Sequence, residues 1–368
     1  MNNKISENKK TVVVGLSGGV DSSVVALLLV KAGYDVVGLH MKNATEESEV
    51  EDEKFVKSLA EKLNIRLEIV EYSDEMQIVK DYFVKEYQAG RTPNPCVICN
   101  KQVKFKPFLE FAESVGADYF ATGHYANIQE KNGKYYLKKA EDESKDQSYF
   151  LNSLSQSQLK KAMFPLGVLT KAEVRKIAEE NNLIMANRSE SYDVCFLGST
   201  KFKDYIMQFE NKGEGKIVDK QTGNVVGKHT GLAKYTIGQR RGLGIGGGHG
   251  KTGEGWFVTD KDLKTNTLFV AQGDASELYS NALISNNFNF IPEKPIQNKF
   301  ACKAKFRYRQ PDQDVMVTVN DDGSVLVEFK EKQRAITTGQ YVVLYSTDPN
   351  SKYDYCLGGG TIDKVIKY

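Results

Sequence analysis

The chain has 368 residues, 40% hydrophobic and 27% charged, which predicts more than one core and excludes global disorder. With 50 Lys and Arg against 48 Asp and Glu, affinity for a polyanion must come from local patches. Met1 to Lys10 lack a signal peptide's apolar run, and no stretch approaches the ~20 apolar residues of a membrane span. The five cysteines (Cys96, Cys99, Cys195, Cys302, Cys356) are too sparse, and odd in number, for a secreted disulfide framework. A cytoplasmic protein without membrane partners is expected.

In chain order, Thr11 to Leu16, Ser22 to Ala32, Asp35 to Met41, Glu51 to Leu63 and Arg66 to Tyr72 predict strand, helix, strand, helix, strand. Right-handed crossovers turn such a series into a parallel sheet with helices on both faces and ligand loops at the carboxyl ends of its strands. Lys104 to Val115 predicts another helix, Asp118 to Thr122 another strand leading to Gly123-His124, and Lys171 to Asn181 a helix capped by Thr170. Ser189 to Cys195 reads as a loop. This Rossmann-like α/β domain is expected over residues 1–205. From Gly213 the helical period vanishes, and the short runs Gly215 to Asp219, Trp256 to Thr259 and Leu268 to Ala271 predict a small β-rich domain over 206–280. Lys299 to Tyr308, Val315 to Val319, Ser324 to Phe329, Tyr341 to Tyr345 and Cys356-Leu357, spaced by turns such as Asp321-Asp322-Gly323, predict an antiparallel β-barrel over 281–368.

The sharpest motif is Ser17-Gly18-Gly19-Val20-Asp21-Ser22, between the apolar strand Val12 to Val14 and the apolar helix Val24 to Val30. Glycines let backbone amides approach phosphate oxygens, and the positive helix end adds attraction. Ser17 and Ser22 can donate hydroxyls, and Asp21 can orient the loop or help hold Mg²⁺. An ordinary strand-to-helix turn would also carry glycine and a capping Asp or Ser. The full string, however, lacks the endings of a Walker A or dinucleotide loop. It resembles the SGGxDS PP-loop of ATP pyrophosphatases, which adenylate an oxygen and release pyrophosphate.

Thr92-Pro93-Asn94-Pro95-Cys96-Val97-Ile98-Cys99-Asn100 sets two thiols three residues apart in what reads as a proline-stiffened loop before a helix. Cys195 lies far off in Ser191 to Gly198. Nucleophilic thiols need a lowered pKa, and Lys101 and Lys104 are near in sequence. A structural zinc site is the alternative, though no second close Cys pair is present. Cys302 and Cys356, in strand-like runs, read as small buried hydrophobes.

Between Lys220 and Gly253 six basic residues (Lys220, Lys228, Lys234, Arg240, Arg241, Lys251) occur without an Asp or Glu, amid ten glycines from Gly231 to Gly255. Such a stretch suits an adaptable RNA-binding loop. Lys299, Lys303, Lys305, Arg307 and Arg309 alternate with Phe300, Phe306 and Tyr308, which in a strand puts the cations on one face. Either patch alone is as well explained by a solvated surface.

Together these motifs resemble the tRNA-specific 2-thiouridylase (tRNA-uridine 2-sulfurtransferase) family nearly end to end. The resemblance rests on Gly15 to Ser22, Thr92 to Phe105, Ala121 to Tyr125, Lys145 to Phe150, the Cys195 loop, Tyr235 to Arg240 and Cys356 to Gly360. It implies ATP-dependent 2-thiolation of the wobble uridine, U34, in tRNAs of the Lys, Glu and Gln type, with sulfur from a cysteine desulfurase or relay protein. ATP and Mg²⁺ would lie over Gly15, Leu16, Ser17, Gly18, Gly19, Val20, Asp21 and Ser22, with adenosine near Met41 and Gly123. Cys99 would be the nucleophile and Cys195 the persulfide carrier. The two would form a disulfide after transfer, with Cα atoms roughly 4.4 to 6.8 Å apart. Asn94, Pro95 and Cys96 would lie beside a flipped-out base, with His124 nearby, and Lys145, Asp146, Gln147, Arg307, Tyr308 and Gln340 against the tRNA.

Cys96 stands where many members carry Asp, and a thiol, mostly protonated at neutral pH, does not take over the acid-base role given to that ionised Asp. It also creates a three-thiol set with Cys99 and Cys195 that suits a 4Fe-4S cluster with one open iron. Two rival readings, a PP-loop synthetase for a small metabolite and a non-catalytic RNA-binding protein, leave the thiols idle.

Overall fold

The computed structural model describes residues 9–42, 48–183, 195–197, 200–210, 212–246, 254–346 and 354–368, with backbone alone at Ser48, Glu49 and Cys195. Before residue 165 its strands are β1 (Thr11–Gly15), β2 (Asp35–Lys42), β3 (Arg66–Glu71), β4 (Tyr119–Ala121), β5 (Asn127–Lys131), β6 (Lys134–Lys138) and β7 (Ala162–Met163). The parallel sheet runs β3-β2-β1-β4-β7. Val12, Val13 and Val14 are all fully buried, because a central parallel strand is covered on both faces and therefore reads as a continuous apolar run. Helices α1 (Val20–Lys31) and α2 (Ser48–Leu63) pack on one face.

Two helices depart from the sequence reading. Helix α3 (Ser73–Gln88) was not anticipated, although its buried Val79, Phe83 and Tyr87 recur at the four-residue spacing of one helical face. The expected loop at Cys96 and Cys99 is itself helical. Helix α4 (Pro95–Ile98) opens with Pro95, whose fixed φ and missing N–H suit a first turn. A π-helical stretch, Cys99–Phe105, follows and leads into α5 (Lys106–Ser114). Pro107 accounts for the widened turn, since its ring clashes with the carbonyl four residues back. Helix α5 packs on the sheet face opposite α1, alongside α6 (Gln156–Lys161). Helix α7 (Lys171–Glu180) returns to the α1 face, started by a capping box between Thr170 and Glu173. A last short helix is α8 (Phe202–Met207).

Strands β8 (Gly215–Asp219), β9 (Val225–His229), β10 (Trp256–Asp262) and β11 (Thr267–Gln272) form a second sheet in the order β10-β11-β8-β9. Then come β12 (Tyr279–Phe290), β13 (Lys299–Lys305), β14 (Gln313–Val319), β15 (Val325–Arg334), β16 (Tyr341–Ser346) and β17 (Tyr355–Ile366). They run antiparallel in the order β12-β15-β14-β13-β16-β17, and the β12–β17 pairing closes them into a six-stranded barrel. The β5–β6 hairpin of the first domain joins this barrel sheet through Cys356 opposite Leu137. Its turn, Asn132-Gly133, has both φ angles positive, as a two-residue hairpin loop requires. Among the described residues no helix is long and apolar enough to cross a membrane.

Candidate active site

At the carboxyl end of β1 the Leu16 amide donates to the Leu39 carbonyl at 2.8 Å, and the chain then breaks from the sheet into the glycine loop. Gly18 has φ +73, and a Cβ there would stand 3.1 Å from Asp52. The Ser17 amide donates to Ser22 Oγ at 3.2 Å, and Ser22 Oγ donates to the Gly19 carbonyl at 3.1 Å, so the loop curls over the start of α1. Among the described residues a Cβ on Gly19 would meet only Ser17 Oγ, at 3.4 Å, so no other described atom fills that side of the curl, where a phosphate would lie. Gly123 backs the loop, because a Cβ there would come within 3.1 Å of Asp21. Asp21 accepts from both Lys171 Nζ, at 2.7 and 2.8 Å, and the Tyr125 hydroxyl, at 2.9 Å. Met41 packs between the core under the sheet and the cluster around Cys99.

A cavity of about 120 Å³ is walled by Val79, Pro95, Cys96, Cys99, Asn100, Lys104, His124, Gln147, Phe150 and Phe196, and His124 directly follows Gly123, which backs the glycine loop. The helical start at Pro95 and the wide turn after Cys99 bring both thiols to its wall. Cys99, at 5% exposure, also packs with Val79, Phe83, Phe196 and Leu197. Cys195 begins the turn Cys195–Leu197, whose Phe196 stacks edge-on against Phe83 with ring centroids 5.2 Å apart. The loop of Cys195 thus reaches the cavity through its next residue, while the Cys195 side chain and residues 184–194 lie outside the described residues. His124 stands near Phe105 and Phe164, with Nδ1 bonded to Thr122 Oγ1 at 2.8 Å. Burial, helped by the charge of Lys104, pushes its pKa down to about 3.

The barrel clamps the segment leading into this helix. Arg91 bonds to Asp363 at 3.0 Å, and the Thr92 amide donates to the Thr338 carbonyl at 2.9 Å. Gln340 Nε2 donates to the carbonyls of Thr92 and Pro93 at 2.9 and 3.2 Å. Residues Asn94, Pro95 and Cys96 therefore emerge from a fixed point.

The other sequence candidates are distributed unevenly. Gln147 lines the cavity, and its Oε1 accepts from the Tyr125 amide at 3.0 Å. Asp146 points away into the core, holding the Ala140 amide and Ser148, and burial raises its pKa. Lys145 precedes it in the same turn. Tyr308 packs at a tilt against Phe150 of the cavity wall, with ring centroids 4.4 Å apart. The expected cationic face from Lys299 to Arg309 is interrupted. Strand β13 ends at Lys305, which pairs with Asp312 at 3.7 Å, and Arg307 turns inward to donate to Ile237 O, Ala335 O and Thr337 Oγ1. In the other basic stretch Lys220 pairs with Asp260 at 2.8 Å, while residues 247–253, Lys251 included, lie outside the described residues. Burial pushes the Cys302 and Cys356 thiols up to about 12, in keeping with inert, packed side chains.

Lys171, Tyr125, Asn100 and Phe150 were missed by sequence reasoning. Lys171 and Tyr125 meet Asp21 only through the fold. Asn100 and Phe150 sit inside motifs already singled out, without anything local to mark them.

Residues 10–199 match the family model described as tRNA methyl transferase HUP domain, 203–272 the tRNA methyl transferase PRC-barrel domain, and 280–362 the aminomethyltransferase beta-barrel domain. The chain is 50% identical over 362 residues to the tRNA-specific 2-thiouridylase MnmA of Shouchella clausii, covering 96% of each. To the protein of that name from Oceanobacillus iheyensis it is 49% identical, over 99% of this chain and 98% of the other. A 4-thiouridine synthetase solved with RNA and ATP shows a looser likeness, over 54% of this chain and 50% of that one, at 20% identity and a TM-score of 0.38. With near-complete coverage at such identity, the chain belongs to the tRNA-specific 2-thiouridylases, enzymes that thiolate uridine in tRNA.

Proposed function

We propose that the enzyme converts the wobble uridine of tRNA to 2-thiouridine by adenylating O2 and then delivering sulfur from a cysteine persulfide. The observation that carries this reading is the shared position of Cys99, Cys96 and Phe196 on one cavity, whose His124 directly follows the Gly123 that backs the glycine loop. ATP rests its phosphates on Gly15 to Ser22, with adenosine toward Met41 and Gly123. Uridine O2 attacks the α-phosphorus as N3 gives up its proton, and the bond from the α-phosphorus to the bridging oxygen breaks to release pyrophosphate; the proton returns to N3 when 2-thiouridine forms. The terminal sulfur on Cys195, loaded by a cysteine desulfurase or relay protein, then forms a bond to C2. Cys99 attacks the inner Cys195 sulfur, the S–S bond to the base breaks, and AMP leaves with the former O2. A thiol reductant reopens the resulting Cys99–Cys195 disulfide.

Asp21 is the carboxylate within the loop, and Lys171 donates to both its oxygens, so Mg²⁺ would be held chiefly by the phosphates with Asp21 beside them. Among the described residues no group of three His, Cys, Asp or Glu converges on a metal position. Cys96 and Cys99 are two of the three thiols that a 4Fe-4S cluster with one open iron would need, the third being Cys195, whose side chain lies outside the described residues, and no step is assigned to a cluster.

His124 stays neutral beside the base. Wobble tRNAs of the Lys, Glu and Gln type and a cytoplasmic setting follow from the family reading. Cys195→Ser and Cys99→Ser test the scheme: each should abolish thionucleoside while ATP and tRNA binding change less than about threefold. Thiolation by either variant at the wild-type rate would reject it.

A further inference from the structure

Asn100 lies on the first turn of the π-helical stretch, 3% exposed and on the cavity wall. Its Nδ2 donates to the Phe150 carbonyl at 3.2 Å. That carbonyl can only accept, so the amide is fixed in one orientation and cannot flip. Its other atom, Oδ1, is buried without a hydrogen-bond partner among the described residues. A buried acceptor left unmet is rare and calls for a ligand or a water. Gln147, by contrast, has already committed its oxygen to the Tyr125 amide. Much of the wall is apolar: Val79, Pro95, Phe150 and Phe196. Its 120 Å³ approaches the roughly 150 Å³ cavity that takes up a single benzene ring.

We propose that Asn100 reads the target base by accepting a hydrogen bond from uracil N3–H, and so sets the preference for uridine over cytidine. Uracil presents a donor at N3, whereas cytosine presents an acceptor there that would face Oδ1 lone pair to lone pair. The orientation locked by Phe150 prevents the amide from turning its NH₂ group to cytosine instead. This assignment rests on the uridine-thiolation reading above.

The test is equilibrium binding of anticodon stem-loops carrying uridine, N3-methyluridine or cytidine at the wobble position, to the full-length wild type and to Asn100→Leu. The wild type should bind the uridine loop about tenfold or more tighter than either alternative, the usual scale of one base-edge contact. Asn100→Leu should bind all three within about twofold. If Asn100→Leu does not fold, Asn100→Ala is read in the same way. A variant that keeps the uridine preference overturns the proposal. So does a wild type that thiolates uridine-bearing tRNA but binds the three loops alike. A wild type that forms no thiouridine at all overturns instead the functional reading beneath it.

Discussion

Lys171 Nζ reaches both carboxylate oxygens of Asp21, 150 residues earlier, at 2.7 and 2.8 Å. The pair ties the start of α7 to the phosphate loop, and both side chains are largely shielded. Lys171→Met leaves the Asp21 carboxylate without its cation. A pair between fully exposed and fully buried should cost about 1–2 kcal/mol when broken. Pyrophosphate release should fall about 100-fold, as when one preorganised charge donor is lost, with tRNA affinity changed less than threefold. Single-turnover pyrophosphate assays and filter binding check both.

Gly18→Ala puts a Cβ on a residue at φ +73 and within 3.1 Å of Asp52. Strain of roughly 1–2 kcal/mol in the left-handed region should open the loop and weaken ATP binding about tenfold or more. Calorimetric titration with a non-hydrolysable ATP analogue measures it.

Gln340→Ala removes the two bonds that hold the Thr92 and Pro93 carbonyls against the barrel. The helix carrying Cys96 and Cys99 should lose its fixed origin. Thiolation under single turnover should slow about tenfold while ATP affinity is unchanged, since misplacement by an ångström is expensive at a reacting centre.

His124 carries a folded pKa of about 3 against an ordinary 6.5. The unfolded chain takes up a proton below 6.5 that the folded chain refuses. Stability is therefore complete above about 6.5 and declines as pH falls toward 3. The melting temperature of the wild type should drop more between pH 7 and pH 5 than that of His124→Gln, by scanning calorimetry at matched ionic strength.

The parts legible in the chain were those written locally. The phosphate loop announces itself through Ser17 to Ser22, and β1 through an uninterrupted valine run. Helix α3 was equally legible in Val79, Phe83 and Tyr87, and the β5–β6 turn in Asn132-Gly133. At Pro95 the local cue misled, because proline breaks a helix interior but starts a helix well. Arg307 shows the opposite limit. Its alternation with aromatics predicts an exposed cation, yet the chain leaves the strand after Lys305 and Arg307 instead ties the barrel to Ile237. The Lys171–Asp21 pair and the unmet oxygen of Asn100 are properties of the fold, with no signature along the chain.

The most direct measurement uses tRNA whose wobble uridine carries heavy oxygen at C2, incubated with the enzyme, ATP and a persulfide source, followed by mass analysis of AMP and nucleosides. The expected result is 2-thiouridine together with an equal amount of AMP carrying the heavy oxygen. Thiouridine formed alongside unlabelled AMP, with the label in water, would mean that O2 is never adenylated and would contradict the account.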